Sequence, residues 1–456
     1  MSLGFSVDMD LTKYLIVGAG VSGLSVAEYL LSRNKQFRIM DDRDLPPNAA
    51  KIKAILSESQ ICFGRIDRQW LRDADVVVLS PGVSPDTPEI KQSVRDDVEL
   101  LGDIELFARE VEKPYIAITG SNGKSTVTTL VTEILKSQGI RARACANIGE
   151  PALSLLDDES IDIYVLELSS FQLETCSSLS PQAAAVLNVS DDHLDRHSSI
   201  EEYTRIKKSI YKQAKFKIVP RAQDGIELSK DSDHVISFGS DTPEETSFGI
   251  RQDENSRWLV KGKQKLIDAK DIPLLGLTGE LNVLAAWALS ESFIHDPDKV
   301  RETIRTFKGL PHRCEVVVEQ NGMQWINDSK GTNVGATVSA IASINRPIIL
   351  ILGGVHKGGS IDLLLQAVQT RVKLVIVFGR DKQVFIDALK DVVQIVEQSS
   401  LNECVEFAHQ MAEPGDAVLF SPACASFDMF SNYIERGQVF TSAVKQFVSG
   451  ESHGGD

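Results

Sequence analysis

The segment Thr119-Gly120-Ser121-Asn122-Gly123-Lys124-Ser125-Thr126 combines what a nucleoside triphosphate requires. Glycines let backbone amides reach phosphate oxygens, a lysine can meet the terminal phosphates, and a hydroxyl is available to Mg²⁺. The segment follows the apolar run YIAITG and opens a helical pattern, so its amides stand where a helix N-terminus favours negative charge. Gly120 and Gly123 are only three residues apart, which makes this a shortened phosphate loop. A purely structural turn would have no use for the lysine.

A second glycine motif, Gly18-Ala19-Gly20-Val21-Ser22-Gly23, also lies between a strand pattern and a helix pattern. Asp41 and Asp42 come about 20 residues later, as in the dinucleotide fingerprint. Such a cradle recognises a diphosphate, which a UDP-sugar carries as well as a nicotinamide dinucleotide. A nicotinamide oxidoreductase is the competing reading, and it leaves the Lys124 loop unexplained. Tight packing of helix on strand, with no ligand, is a third.

Metal chemistry has candidates in the same stretch. Glu167 sits in YVLELSSFQLE, at the C-terminal end of the next strand pattern, where ligand sites gather on open α/β sheets, and a carboxylate there can hold Mg²⁺. Ser199 and Glu202 form an S-x-x-E capping-box pattern at the start of a helical period. Ile200, Tyr203, Ile210 and Ala214 define one face of that helix, and Lys207 falls on it, whereas Lys208 is rotated about 100° away. An inward lysine loses hydration, which makes its neutral amine more accessible. Snorkelling of Lys207 to solvent is the competing reading.

The elements that must position these groups alternate almost throughout. Strand patterns at 14–18, 37–41 and 75–80 are separated by helical segments. A second series runs through 115–120, 163–170, 183–190 and 216–219, and a third through 347–354, 373–379 and 416–421. This βαβ punctuation predicts parallel sheets with helices on their faces. The 456 residues suggest about three domains, placed at 1–102, 103–309 and 310–456. A net charge of -16 argues against a nucleic-acid partner. Six scattered cysteines without C-x-x-C spacing fit reduced thiols. The start MSLGFSVDMD is unlike a signal peptide, and no apolar run approaches the roughly 20 residues of a membrane span. A cytoplasmic enzyme without membrane insertion is expected, as a monomer.

The loop T-G-S-N-G-K-S-T resembles the ATP loop of the Mur ligases and of their relative, folylpolyglutamate synthase. The resemblance extends through all three proposed domains. Gly309-Leu310-Pro311-His312-Arg313-Cys314-Glu315 is similar to the Mur hinge sequence. Within the family, Asn327-Asp328-Ser329-Lys330-Gly331-Thr332-Asn333 and Ser421-Pro422-Ala423-Cys424-Ala425-Ser426-Phe427-Asp428 resemble the branch that adds D-glutamate. Other amino-acid ligases of the family are the nearest alternative.

The resemblance implies an α/β fold of three consecutive domains: a Rossmann-like UDP-binding domain, a central mononucleotide-binding ATPase-like domain and a C-terminal Rossmann-like domain. It implies ATP, two Mg²⁺ ions, D-glutamate and UDP-N-acetylmuramoyl-L-alanine as cofactors and substrates, with an acyl phosphate between them. Implied ATP contacts are Gly120, Ser121, Asn122, Gly123, Lys124, Ser125, Thr126, Asn282, Arg313 and Asp328. Implied UDP-sugar contacts are Gly18, Gly20, Ser22, Gly23, Asp41, Asp42, Arg43, Gly82 and Asn147. D-glutamate is assigned to Lys330, Thr332, Lys357, Ser426 and Phe427. Metal is assigned to Ser125, Glu167, His193 and Lys207, the last as a CO₂-derived carbamate, and catalysis to Lys124, His193 and Lys207. Two stretches depart from the family pattern. Gly276-Leu277-Thr278-Gly279-Glu280-Leu281-Asn282 keeps only the last asparagine of G-x-H-N-x-x-N, and Val355-His356-Lys357 lacks an aspartate before its lysine.

Overall fold

The structure, a computed structural model, describes residues 12–448 except 191–195, 222, 224, 227, 229–232, 255 and 359. His193 therefore lies outside the described residues.

Three sheets follow one another along the chain. The first has five parallel strands in the order Ile61–Phe63, Gln36–Asp41, Lys13–Val17, Val76–Leu79, Glu99–Gly102. Its chain path reverses between Lys13–Val17 and Val76–Leu79, so the first glycine motif and Pro81-Gly82 flank a topological switch point.

The second sheet has nine strands. Tyr115–Thr119 is flanked by Ile163–Glu167 on one side and Ala183–Val186 on the other, all parallel. The path again reverses there, and the Lys124 loop and Glu167 leave the same edge. Buried Ala183, Ala184, Ala185 and Ile116 make these strands apolar on both faces, as a covered parallel sheet requires. Beyond Phe248–Gln252 the sheet continues through two antiparallel pairings, to Arg257–Lys261 and Gln264–Asp268. The strand patterning does not single out this extension.

The third sheet has six strands in the order Glu315–Gln320, Met323–Asn327, Ala417–Phe420, Ile348–Gly353, Val372–Phe378, Gln394–Glu397. Only the first pairing is antiparallel. The three central strands thus send their following loops, beginning at Asp328, Ser421 and Gly354, from one edge.

One face of the first sheet and one face of the second bury a continuous core between them, while their other faces cover separate clusters. The helix Asp103–Glu110 carries Phe107, fully buried, edge-on to Tyr115 and Tyr164 with ring centroids 6.0 and 5.3 Å apart. Burying an aromatic of this size contributes about 2–3 kcal/mol. Among the described residues no helix is long and apolar enough to cross a membrane.

Candidate active site

At the first switch point the glycine motif is held by its own aspartate. Asp41, 2% exposed, accepts from the Ala19 amide at 2.7 Å and from the Arg43 amide and guanidinium at 3.0 and 2.7 Å. Burial raises its pKa, but these bonds outweigh burial and hold the carboxyl at about 2. Gly23 is required by close approach: a Cβ there would lie 1.9 Å from the Gly18 carbonyl oxygen. Ser22 donates to Asp103, a carboxyl whose pKa is raised by burial. Gly20 and Gly82 have open space where a side chain would stand.

At the second, Gly123 adopts φ +83° and caps the helix Lys124–Ser137. That left-handed geometry suits glycine and aims the first-turn amides outward. Asn188 clamps the loop, accepting from the Asn122 amide at 2.8 Å and donating to its carbonyl at 3.0 Å. Ser121 donates its amide to the Asn188 carbonyl. Lys124 Nζ folds back to the Gly120 and Ser121 carbonyls at 2.8 and 2.9 Å.

Glu167 is 3% exposed. Its Oε1 accepts from Asn147 Nδ2 at 2.7 Å, while Oε2 is buried without a hydrogen-bond partner. Asn147 thus buttresses the carboxylate. Lys207 is 1% exposed, its Nζ 3.1 Å from the Gly120 carbonyl and 4.4 Å from the Tyr203 ring centre. Tyr203, Ile210 and Ala214 are buried with it, while Ile200 and Lys208 are half-buried. The helix runs Ile200–Lys208, capped by the Ser199 hydroxyl. The expected reciprocal box is displaced: Glu202 accepts from Ser198 instead of Ser199.

The third sheet supplies further cations. Arg313 Nη2 reaches across to Ser125 Oγ at 2.6 Å. Asp328, 7% exposed, is pushed up to about 6 by burial against the bonds it accepts from the Ser421 hydroxyl and the Cys314 amide. Lys330 lies 4.2 Å over the Tyr433 ring. Burial, then the charges of Arg313 and Lys124, bring its pKa down to about 8.

A cavity of about 880 Å³ between the second and third sheets is lined by Lys124, Ser125, Glu167, Lys207, Lys330, Thr332 and Lys357, with Pro81 and Asn147 at its margin. An adjoining cavity of about 520 Å³ is lined by Asn122, Gly123, Thr126, Asn282, Arg313 and Asp328. The structure therefore brings most of the sequence-derived candidates of the last two domains together. The first glycine motif, with Asp41, Asp42 and Arg43, lines neither cavity. Neither do Ser426, which is buried, and Phe427, which is 76% exposed. Reciprocal amide bonds at 2.9 Å between Val355 and Ala425 do tie their loop to the one bearing Lys357.

The comparisons with known proteins agree with this three-part construction. Residues 12–102 match the Mur ligase MurD-like N-terminal domain, 118–290 the Mur ligase middle domain, and 312–424 the Mur ligase glutamate ligase domain. A UDP-N-acetylmuramoylalanine–D-glutamate ligase of Legionella pneumophila (strain Paris) is 43% identical over 446 residues, 96% of this chain and 100% of the relative. The chain belongs to the Mur ligase family.

Two further relatives of the same name, from Hydrogenovibrio crunogenus and Pseudomonas aeruginosa, are 42% and 40% identical to this Mur ligase. These cover 97% and 95% of the chain, and 99% and 98% of the relatives. Among solved structures, the UDP-N-acetylmuramate-alanine ligase MurC of Thermotoga maritima has a TM-score of 0.58 at 19% identity, covering 96% of this chain and 100% of its own. That likeness supports the fold.

Sequence reasoning missed several residues of this Mur ligase site. Asn188 has no assigned role in the sequence reading, because its clamp on the phosphate loop joins positions 66 residues apart. Tyr203 is read only as an apolar member of the face that carries Lys207, and the structure adds that its ring lies 4.4 Å from that amine. Arg436, fully buried, donates to the Ser329 and Cys424 carbonyls at 2.8 and 3.0 Å and so joins two of the site's loops. An arginine inside a helix, 107 residues from its partner Ser329, carries no local signal of that task.

Proposed function

We propose that this Mur ligase joins D-glutamate to UDP-N-acetylmuramoyl-L-alanine with conversion of ATP to ADP and phosphate. The observation that carries the reading is the shared cavity, where the phosphate loop and Glu167 face Lys330, Thr332 and Lys357. The names of the relatives, at 40–43% identity over nearly the whole chain, agree with it.

A carboxylate is a poor acyl donor because oxide is a poor leaving group. An oxygen of the L-alanyl carboxylate attacks the γ-phosphorus of ATP, and the bond to the ADP oxygen breaks. The neutral amine of D-glutamate then attacks the acyl carbon, the amide bond forms, and phosphate leaves with the anhydride oxygen. The amine's surplus proton passes to solvent or a basic group. Lys124, Arg313 and Lys330 stabilise the charge that develops on the transferred phosphoryl group. Lys330, Thr332, Lys357, Ser426 and the Phe427 backbone bind the dicarboxylate amino acid. The amides at Gly18–Gly23 and Gly82, with Ser22, Asp42 and Arg43, hold the UDP moiety. Asp41 contributes by fixing that loop.

The donor set fits a divalent cation. Glu167 Oε2 is a buried carboxylate oxygen that no donor among the described residues satisfies, a costly arrangement unless a cation meets it. Among the described residues no group of three or more His, Cys, Asp or Glu stands together, so Ser125 and substrate phosphates would complete the shell. His193 would join them at a second ion. Bound Mg²⁺ supplies neutralisation of the triphosphate. A carbamate on Lys207, formed from its amine and CO₂ with loss of a proton, would replace a cation by an oxygen donor at the same place. The protein is proposed to act in the cytoplasm as a monomer, with domains at 1–102, 103–309 and 310–456.

Phosphate release in the presence of UDP-N-acetylmuramoyl-L-alanine, ATP and a panel of amino acids tests the assignment. Release should require D-glutamate and vanish in Lys124→Ala. Dependence on L-lysine, L-glutamate or meso-diaminopimelate instead would overturn it.

A further inference from the structure

Behind the larger cavity, one arginine joins the first domain to the second. Arg196 lines neither cavity. Its Nη2 donates to the Val83 carbonyl at 3.1 Å and to Glu174 Oε2 at 2.6 Å, and its guanidinium lies 5.1 Å over the Phe171 ring. Both members of the ion pair are mostly buried, with side chains 12% and 16% exposed.

These partners belong to different parts of the site. Val83 is tied to the first glycine motif: its amide donates to the Ser80 carbonyl at 2.8 Å, and the Ser80 hydroxyl donates to the Gly18 carbonyl at 3.0 Å. Phe171 and Glu174 lie on the short helix Ser170–Glu174, which begins three residues after Glu167 and is capped by the Ser169 hydroxyl. Phe171 lines the larger cavity, as does Pro81, two residues before Val83. A second tie runs alongside. Asp103 accepts from Ser22 of the glycine motif and from the Gln172 side chain of the same short helix.

Ion pairing with Glu174 would be complete within the second domain. The bond to Val83, 113 residues away, adds a fixed position rather than a charge. A planar guanidinium can hold carbonyl and carboxylate while stacking on a ring, and an ammonium has no such flat face. A ligand that spans two subsites gains from both only while their separation suits it, because its second contact then forms within one molecule at high effective concentration. Loosening the joint between the subsites leaves each intact and removes only that gain.

We propose that Arg196 is a positioning residue for the acyl donor. It locks the loop 80–83 to the helix that follows Glu167, and so fixes the span that a nucleotide-linked sugar must cover. This rests on the reading above, with the diphosphate at the first glycine motif and the carboxylate at the phosphate loop.

Calorimetric titration of the full chain with UDP and, separately, with UDP-N-acetylmuramoyl-L-alanine tests this. In Arg196→Met the Kd of the longer ligand should rise by about tenfold or more, while that of UDP stays within about twofold. Arg196→Lys keeps a positive charge beside Glu174 and should raise the Kd of the longer ligand by about threefold or more. It carries the test alone where Arg196→Met does not fold. In phosphate release, the KM for UDP-N-acetylmuramoyl-L-alanine should rise in the same variants with those for ATP and D-glutamate unchanged. Equal weakening of both ligands, or unchanged binding of the longer one in Arg196→Lys, overturns the proposal. Either result beside a wild type that ligates D-glutamate removes only this inference. A wild type that binds neither ligand and releases no phosphate removes the ligase reading as well.

Discussion

Lys330 is held where its protonated form is costly, and replacing it should make the protein more stable while abolishing ligation. Burial is the largest cause of its low pKa, followed by the cations Arg313 and Lys124, with Glu167 opposing and Lys357 adding a smaller push. The drop from 10.5 to about 8 corresponds to about 3 kcal/mol of native-state cost at neutral pH. The Tyr433 ring beneath the amine returns about 0.5–1 kcal/mol, which Lys330→Met forfeits. The net gain expected for Lys330→Met at pH 7 is therefore about 2 kcal/mol. The sign of the pH dependence follows from proton binding. Between about pH 8 and 10.5 the unfolded chain holds this proton and the native chain has released it, so wild-type stability rises with pH in that window. The advantage of Lys330→Met is full below pH 8 and shrinks towards pH 10.5. Urea titrations of both proteins at pH 7 and pH 9.5, followed by near-ultraviolet circular dichroism, measure it. Ligation should fall by about 100-fold or more, because a cation facing the transferred phosphoryl group is lost. A variant no more stable than wild type at pH 7, or equally advantaged at both pH values, would refute the reasoning.

Gly23→Ala forces a methyl group against the Gly18 carbonyl and should cost about 1–3 kcal/mol. Steady-state kinetics should show a raised KM for the UDP-sugar with the KM for ATP unchanged; equal changes in both would contradict the separate siting of the first glycine motif. Glu105, 1% exposed, is raised by burial but held at about 2 by bonds from Ser178, Ser177 and Arg109. Its folded pKa is depressed, so roughly 2–3 kcal/mol of stability is present above pH 4.5 and is lost as pH falls towards 2. Glu105→Gln should thus unfold more readily at pH 7, and acid titrations should show the gap to wild type closing below pH 4. Lys207→Ala should lose activity and recover part of it with acetate or bicarbonate; full activity without rescue would remove the carbamate from the account.

Much of the site was legible because phosphate chemistry constrains adjacent residues. The Lys124 loop, the first glycine motif and the Lys207 face are local patterns, read through spacing and helical period. What was not legible depends on contacts distant in sequence. Asp41 reads as a ligand contact, yet its oxygens accept from the Ala19 amide and from Arg43, a use that appears only once the strands pair. Asn147 reads as a substrate contact and is also the donor that orients Glu167. Thr278 and Ser339 are 61 residues apart and sit on helices of different domains, so no window on the chain joins them. The shared core of the first two sheets was hidden for the same reason. Phe107 belongs to a short amphipathic helix in sequence and becomes a joint only through Tyr115 and Tyr164.

The placement of the three sheets also bears on why the substrate is built as it is. Loops from the second and third sheets meet around one cavity, whereas the first glycine motif lines neither cavity. Pro81, beside the first switch point, is the first sheet's foothold at the larger cavity's margin. A small acyl donor could not touch both the glycine cradle and the phosphate loop. A nucleotide-linked sugar can, because its diphosphate lies at one end and its carboxylate at the other. The shared core around Phe107 then holds those two ends at a fixed separation, while the second and third domains meet through side-chain hydrogen bonds such as Arg313 to Ser125 and the Thr278, Ser339 and Ser343 hydroxyls. On the proposed siting of the diphosphate at the first glycine motif, the fixed separation of that motif from the phosphate loop would act as a ruler for the acyl donor, and any movement that admits substrates is expected of the third domain.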